Sequence, residues 1–177
     1  MEHKLNYQAA MINGAILALI TIGYTLIGQL IGNSSMFISI PLWILKFAGI
    51  VALLIYFIKQ DAAKYEFYSY GAGFRTGLLI SLFSTIVCAA FTVLYYTVIS
   101  PDAIATTISS VEQALASNPD VLEQLEDVNM YSIMKTVMFI FMPIYYFIWG
   151  LILSAICASF TKKVDLFANS QPQQPEL

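Results

Sequence analysis

The sequence predicts an all-α, polytopic integral membrane protein with four transmembrane helices. It adds a short amphipathic helical segment between helices three and four. Three observations predict this. Residues 77–99, GLLISLFSTIVCAAFTVLYYTVI, run for 23 residues without a charge, enough to cross a hydrocarbon core about 30 Å thick. Three further stretches, at about 9–31, 39–58 and 136–160, have the same character. The whole chain is 59% hydrophobic and only 11% charged, where a soluble domain is nearer half apolar and about a quarter charged. The net charge of −3 leaves no footprint for nucleic acid. Two cysteines, Cys88 and Cys157, both lie inside apolar spans and do not make a disulfide framework. The lone histidine, His3, cannot hold a metal by itself, so no metal or cofactor is expected.

Span one, 9–31, is longer than a signal-peptide core, and no A-x-A cleavage pattern follows it, so it is read as a retained helix. Gly28 and Gly32 form a G-x-x-x-G pair and Gly14 stands four before Ala18. Small residues at that spacing let helices approach closely in lipid, although glycine is also simply common in such helices. Asn13 is a polar side chain inside this span. Span two, 39–58, has Pro41 in its first turn, where a missing N–H costs nothing. Lys46 is the only charge well inside any span. Its flexible stem can carry the ammonium to the interface. The alternative points it into the bundle, paired with an acid such as Asp102 or Glu112.

The connection that follows, KQDAAKYEFYSYGAGFR, alternates Lys59, Asp61, Lys64 and Glu66 as on a solvated face. Its Tyr and Phe residues read as an interfacial aromatic belt. Gly71 and Gly73 suit a sharp re-entry, and Gly73-x-x-x-Gly77 suits close packing of helix three. Beyond span three, Ser100-Pro101-Asp102 reads as a helix start. Ile104, Ile108, Val111 and Leu115 then fall on one helical face. Asn118-Pro119-Asp120 repeats the start signal, so residues 101–130 are expected to hold two short amphipathic helices with acidic outer faces. In span four, Pro143 is expected to kink the helix and free a carbonyl near Phe139. Gly150, Ser154 and Ala158 make a small-residue ladder. Tyr145, Tyr146 and Trp149 are expected to face the bundle. Residues 1–163 read as one transmembrane domain, and 164–177 as a disordered polar tail.

Four spans put both termini on one side, with Lys4, Lys59, Lys64, Arg75, Lys162 and Lys163. Lys135 and Lys46 fall on the other. Six against two places the termini in the cytoplasm.

The four-span layout, Ser69-Tyr70-Gly71 with Phe74-Arg75-x-Gly77 opening span three, and Ile99-Ser100-Pro101-Asp102 closing it resemble a family of small bacterial membrane proteins. It is known as domain of unknown function forty-one ninety-nine. The chain departs from its commoner Gln-Ala at Ala72-Gly73. The resemblance implies the fold and the location, a bacterial inner membrane. It carries no catalytic residues.

Proton-coupled carriers place Asp, Glu or His in the membrane, and this chain offers only Lys46 there. Ser81, Ser84 and Thr85 have no base nearby in sequence, as an intramembrane enzyme would need. The expectation is therefore a non-enzymatic structural, accessory or envelope component. Its partners would be the bilayer and a second copy or another membrane protein. A small-solute, ion or lipid transporter or channel acting as an oligomer is the alternative.

Overall fold

The computed structural model of the chain describes residues 5–31, 36–115 and 129–163. Helix α1 spans Tyr7–Ile31 and α2 spans Met36–Ala62. Helix α3, Tyr70–Leu94, runs on into a π-helical turn, Tyr95–Ile99. Helix α4 is Ala103–Leu115. Helix α5, Met130–Thr136, continues through a second π turn, Val137–Phe141, into α6, Met142–Ser159. Four segments are long and apolar enough to cross a membrane: Tyr7–Gly28, Ile40–Ala62, Tyr70–Ile99 and Met130–Ser159. The described residues contain no strand, only one antiparallel bridge between Tyr68 and Lys163. The protein is a four-span, all-α membrane protein.

Each helix start has a local cause. The Asn6 carboxamide accepts from Ala9 N–H at 3.0 Å and caps α1. Ser69 Oγ accepts from Ala72 N–H at 3.1 Å, so α3 begins at Tyr70, seven residues ahead of its uncharged run. Gly71 and Gly73 are therefore helical and make no re-entrant turn. Asn129 caps α5 through Ser132 N–H at 3.0 Å. Such caps satisfy amides that the helix itself leaves free. At Ser100-Pro101-Asp102 the turn closes through Ala103 N–H to Ser100 C=O, and the first α4 bond runs from Thr106 N–H to Asp102 C=O. The helix thus starts slightly later than the Ser100 cap reading implies. Ile104 is buried, with Ile108 and Val111 half-buried behind it, the inward stripe that their spacing predicts. The second amphipathic helix and Gly32 lie outside the described residues.

Pro143 sits in the first turn of α6. The π turn directly before it absorbs the missing donor: Met142 N–H bonds Val137 C=O, five residues back. Helix α3 is the hub, packing most extensively on α6 and α1, while α2 leans on all three more lightly. The outer faces carry large apolar side chains such as Leu19, Leu45, Ile86 and Ile152. Lipid solvates these residues as readily as a core would, so helix association rests on close packing and hydrogen bonds.

Candidate functional site

Close packing is concentrated on the α3–α6 seam. A methyl group on Gly150 would stand 2.6 Å from Ser81 Cβ, and one on Gly77 would stand 3.0 Å from Ser154 Cβ. On Gly73 it would meet Thr161, Tyr68 and Ala158 at 3.2–3.4 Å. Ser154 and Ala158 are fully buried. The small residues therefore bring two backbones into contact, and hydroxyls cross the seam. Ser81 Oγ donates to Gly150 C=O at 3.3 Å and lies 3.2 Å from Ser154 Oγ. On the other flank of α3, Gly14 meets Ile80 C=O and Phe83 Cβ, each 2.7 Å from where its methyl would lie. Gly28 behaves differently. Among the described residues nothing lies within 4 Å of its missing side chain.

A polar knot closes the end of the bundle that holds the α2–α3 connection. Asp61 is buried there. Its Oδ2 accepts from the Tyr68 hydroxyl at 3.0 Å and from the Thr76 hydroxyl at 3.2 Å, and the two hydroxyl oxygens are 3.1 Å apart. Lys64 pairs with Asp61 Oδ1 at 3.3 Å. Burial drives the Tyr68 phenol well above its ordinary value; the Thr76 bond opposes this and the Asp61 charge adds to it. A few ångströms away Lys163 ties the end of the fourth span to the same connection. Its ammonium donates to Ala62 C=O at 2.9 Å and Tyr65 C=O at 3.1 Å, and its backbone exchanges two bonds with Tyr68. A cation at the C-terminal carbonyls of α2 is also favoured by the helix dipole.

This knot corrects the reading of residues 59–68 at two positions, while Lys59, Lys64, Glu66 and Phe67 stay exposed as that reading expects. Asp61 and Tyr68 are interior. The signal was present: Leu54, Phe57 and Ile58 are buried on one helical stripe, and that stripe continues at Asp61, seven after Leu54. Asn13 lines a small cavity of about 30 Å³ here, beside Gln60, Asp61 and Thr76.

Lys46 stands toward the opposite end, so the two polar residues singled out in the spans do not meet. Its ammonium lies 4.6 Å from the centre of the Tyr24 ring on α1 and 5.9 Å from that of Tyr146 on α6. The side chain thus lies between α1 and α6, bordering a cavity on one side and the α1–α2 surface on the other. Among the described residues it has neither a carboxylate partner nor a hydrogen-bond acceptor. Asp102 is exposed and unpaired with it, so the Asp102 pairing is replaced by two aromatic faces; of the Glu112 side chain nothing is described. Of the three aromatic residues placed at mid-span, only Tyr146 is half-buried, although Trp149 lines two of the cavities that Tyr146 borders. Tyr145 and Trp149 are exposed to lipid on much of their surface.

Between these poles lie cavities that share Thr21 and Tyr146. One of about 80 Å³ reaches Ser81 and Ser84, and one of about 100 Å³ reaches Lys46. A third, about 200 Å³, is lined by Cys88, Thr92, Tyr95 and Met138 among others, and both π turns contribute to its wall. Cys88 and Cys157 are free and buried. No group of three His, Cys, Asp or Glu converges among the described residues.

Fold and site together define a small four-span membrane protein whose interior polar groups cross-link helices. Residues 8–163 match the family model described as "Protein of unknown function (DUF4199)", and the chain belongs to that family. No curated protein and no solved structure matches it significantly.

Proposed function

We propose that this protein is a non-enzymatic component of a bacterial inner membrane, with both termini in the cytoplasm, acting as a structural or accessory subunit beside a second copy or another membrane protein. The observation that carries the reading is how the buried polar groups are used. Among the described residues no buried side-chain nitrogen or oxygen lacks a hydrogen-bond partner. Asp61, Tyr68, Thr76, Ser81 and Ser154 are engaged with one another or with backbone, as structural cross-links are. Gly28 adds support: among the described residues nothing covers its position on α1.

Transport of a small solute, ion or lipid is the second reading, favoured by the cavities around Thr21 and Tyr146. Reconstitution separates the two. Proteoliposomes loaded with a chloride-sensitive or pH-sensitive dye are expected to leak no faster than protein-free vesicles. In native membranes, bifunctional cross-linking of the same protein is expected to yield one discrete higher species. Flux that scales with protein content, without such a species, overturns the structural reading.

A further inference from the structure

A groove of about 400 Å³ runs between α1 and α2 on the lipid-facing side, with Gly23 and Gly49 at its floor and Leu19 and Leu45 at its rims. Lys46 and Tyr24 stand together in its wall. The groove is open: nothing lies within 4 Å of the missing Gly23 side chain, and Gly49 meets only Ile20 at 3.6 Å. The two aromatic contacts offset part of the cost of the ammonium. They supply no hydrogen-bond acceptor for its three N–H donors. A lysine in a membrane span is expected to find a partner, and the described residues provide none.

We propose that this groove binds one anionic phospholipid, with an acyl chain lying over Gly23 and Gly49 and the phosphate accepting from the Lys46 ammonium. Lys46 is ten residues after Met36, where α2 begins, so its Cα lies about 15 Å along the helix from that end at 1.5 Å per residue. Helical side chains lean toward the N-terminus, here toward the headgroups, so the ammonium rises toward the phosphate level. Shape fits that occupant. The glycine floor leaves open space between the two helices that an extended acyl chain can occupy. Charge decides the headgroup: a net-negative lipid neutralises Lys46, and a zwitterionic one brings its own cation. The inference holds whether the protein scaffolds or transports.

The chain has two tryptophans, Trp43 and Trp149. Both line the cavity that Lys46 shares on its other side, so intrinsic fluorescence reports on this site. The full chain is reconstituted in phosphatidylcholine vesicles containing a minor fraction of brominated phosphatidylglycerol or brominated phosphatidylcholine. Quenching is expected to favour the anionic lipid by about fivefold in apparent affinity. Lys46→Gln is expected to abolish the preference and Lys46→Arg to keep it. Gly23→Leu, whose side chain enters open space within the chain, is expected to weaken quenching by both brominated lipids. Unchanged helicity and emission maximum show that each variant is folded. Equal quenching by the two lipids in the wild type overturns the proposal. So does an anionic preference that survives Lys46→Gln, or an acidic membrane protein that cross-links at Lys46 in place of lipid.

Discussion

At the scale of single residues, the most consequential group is Tyr68. Its hydroxyl is one of the donors that make a buried Asp61 tolerable. Removing one donor from a buried carboxylate leaves desolvation uncompensated, typically a loss of about 1–3 kcal/mol. Tyr68→Phe is expected to lower thermal stability in detergent by that order at neutral pH. It also changes the alkaline limb. In the folded protein the phenol titrates well above its ordinary value, while the unfolded chain releases that proton near pH 10. Above about pH 10 the folded state therefore holds a proton the unfolded state has lost, and stability falls as pH rises. Below that pH the contribution is fully present and flat. Melts from pH 7 to 11 are expected to show a steeper alkaline decline for wild type than for Tyr68→Phe. Parallel curves would mean the phenol is not held protonated by folding.

At the scale of elements, one sequence signal has opposite structural meanings in different helices. Gly28 and Gly150 both stand in small-residue patterns. Only Gly150 faces a neighbour, and the missing methyl decides the sign. Gly150→Ala drives Cβ to 2.6 Å from Ser81 Cβ, and this overpacking is expected to cost about 1–3 kcal/mol. Gly28→Ala meets nothing within 4 Å and is expected to stabilise the helix by up to about 1 kcal/mol. Unfolding of the two variants in mixed micelles checks both signs. If Gly28→Ala instead breaks a cross-linked dimer, that glycine serves the surface between copies. The four apolar runs were legible because charge is costly in lipid and its absence shows plainly in sequence. Their true ends were not, because a helix can continue past the hydrocarbon edge under a polar cap such as Ser69. The π turn at Val137–Phe141 was invisible for a related reason: Pro143 announces a lost donor, but whether a kink or a wider turn absorbs it depends on the neighbours.

At the scale of the whole molecule, the two ends differ. One is knotted by Asp61, Tyr68, Thr76 and Lys163, while the other opens into cavities beside two π turns. The membrane class was readable from composition. The knot was hidden because alternating charge signs masked a stripe that burial continues to Asp61, and Lys163 counted only as a topological charge. Which end faces the cytoplasm rests on charge. Lys59, Lys64, Arg75, Lys162 and Lys163 flank the segment ends at the knot, and Lys135 lies on the segment that enters the opposite end. Short loops rich in Lys and Arg stay inside, so the knotted end is expected in the cytoplasm. Single cysteines in a background lacking Cys88 and Cys157 check this. Ser109, exposed on α4, and Ala63, exposed just after α2, are suitable positions. Ala62 is not, because it is buried and would stay silent in either orientation. With an impermeant thiol reagent on intact cells, after outer-membrane permeabilisation where one exists, Ser109→Cys is expected to react and Ala63→Cys to react only after lysis. The reverse pattern would invert the topology and move Lys46, with its lipid groove, to the cytoplasmic leaflet. Labelling of both positions in intact cells would mean that the chain inserts in two orientations.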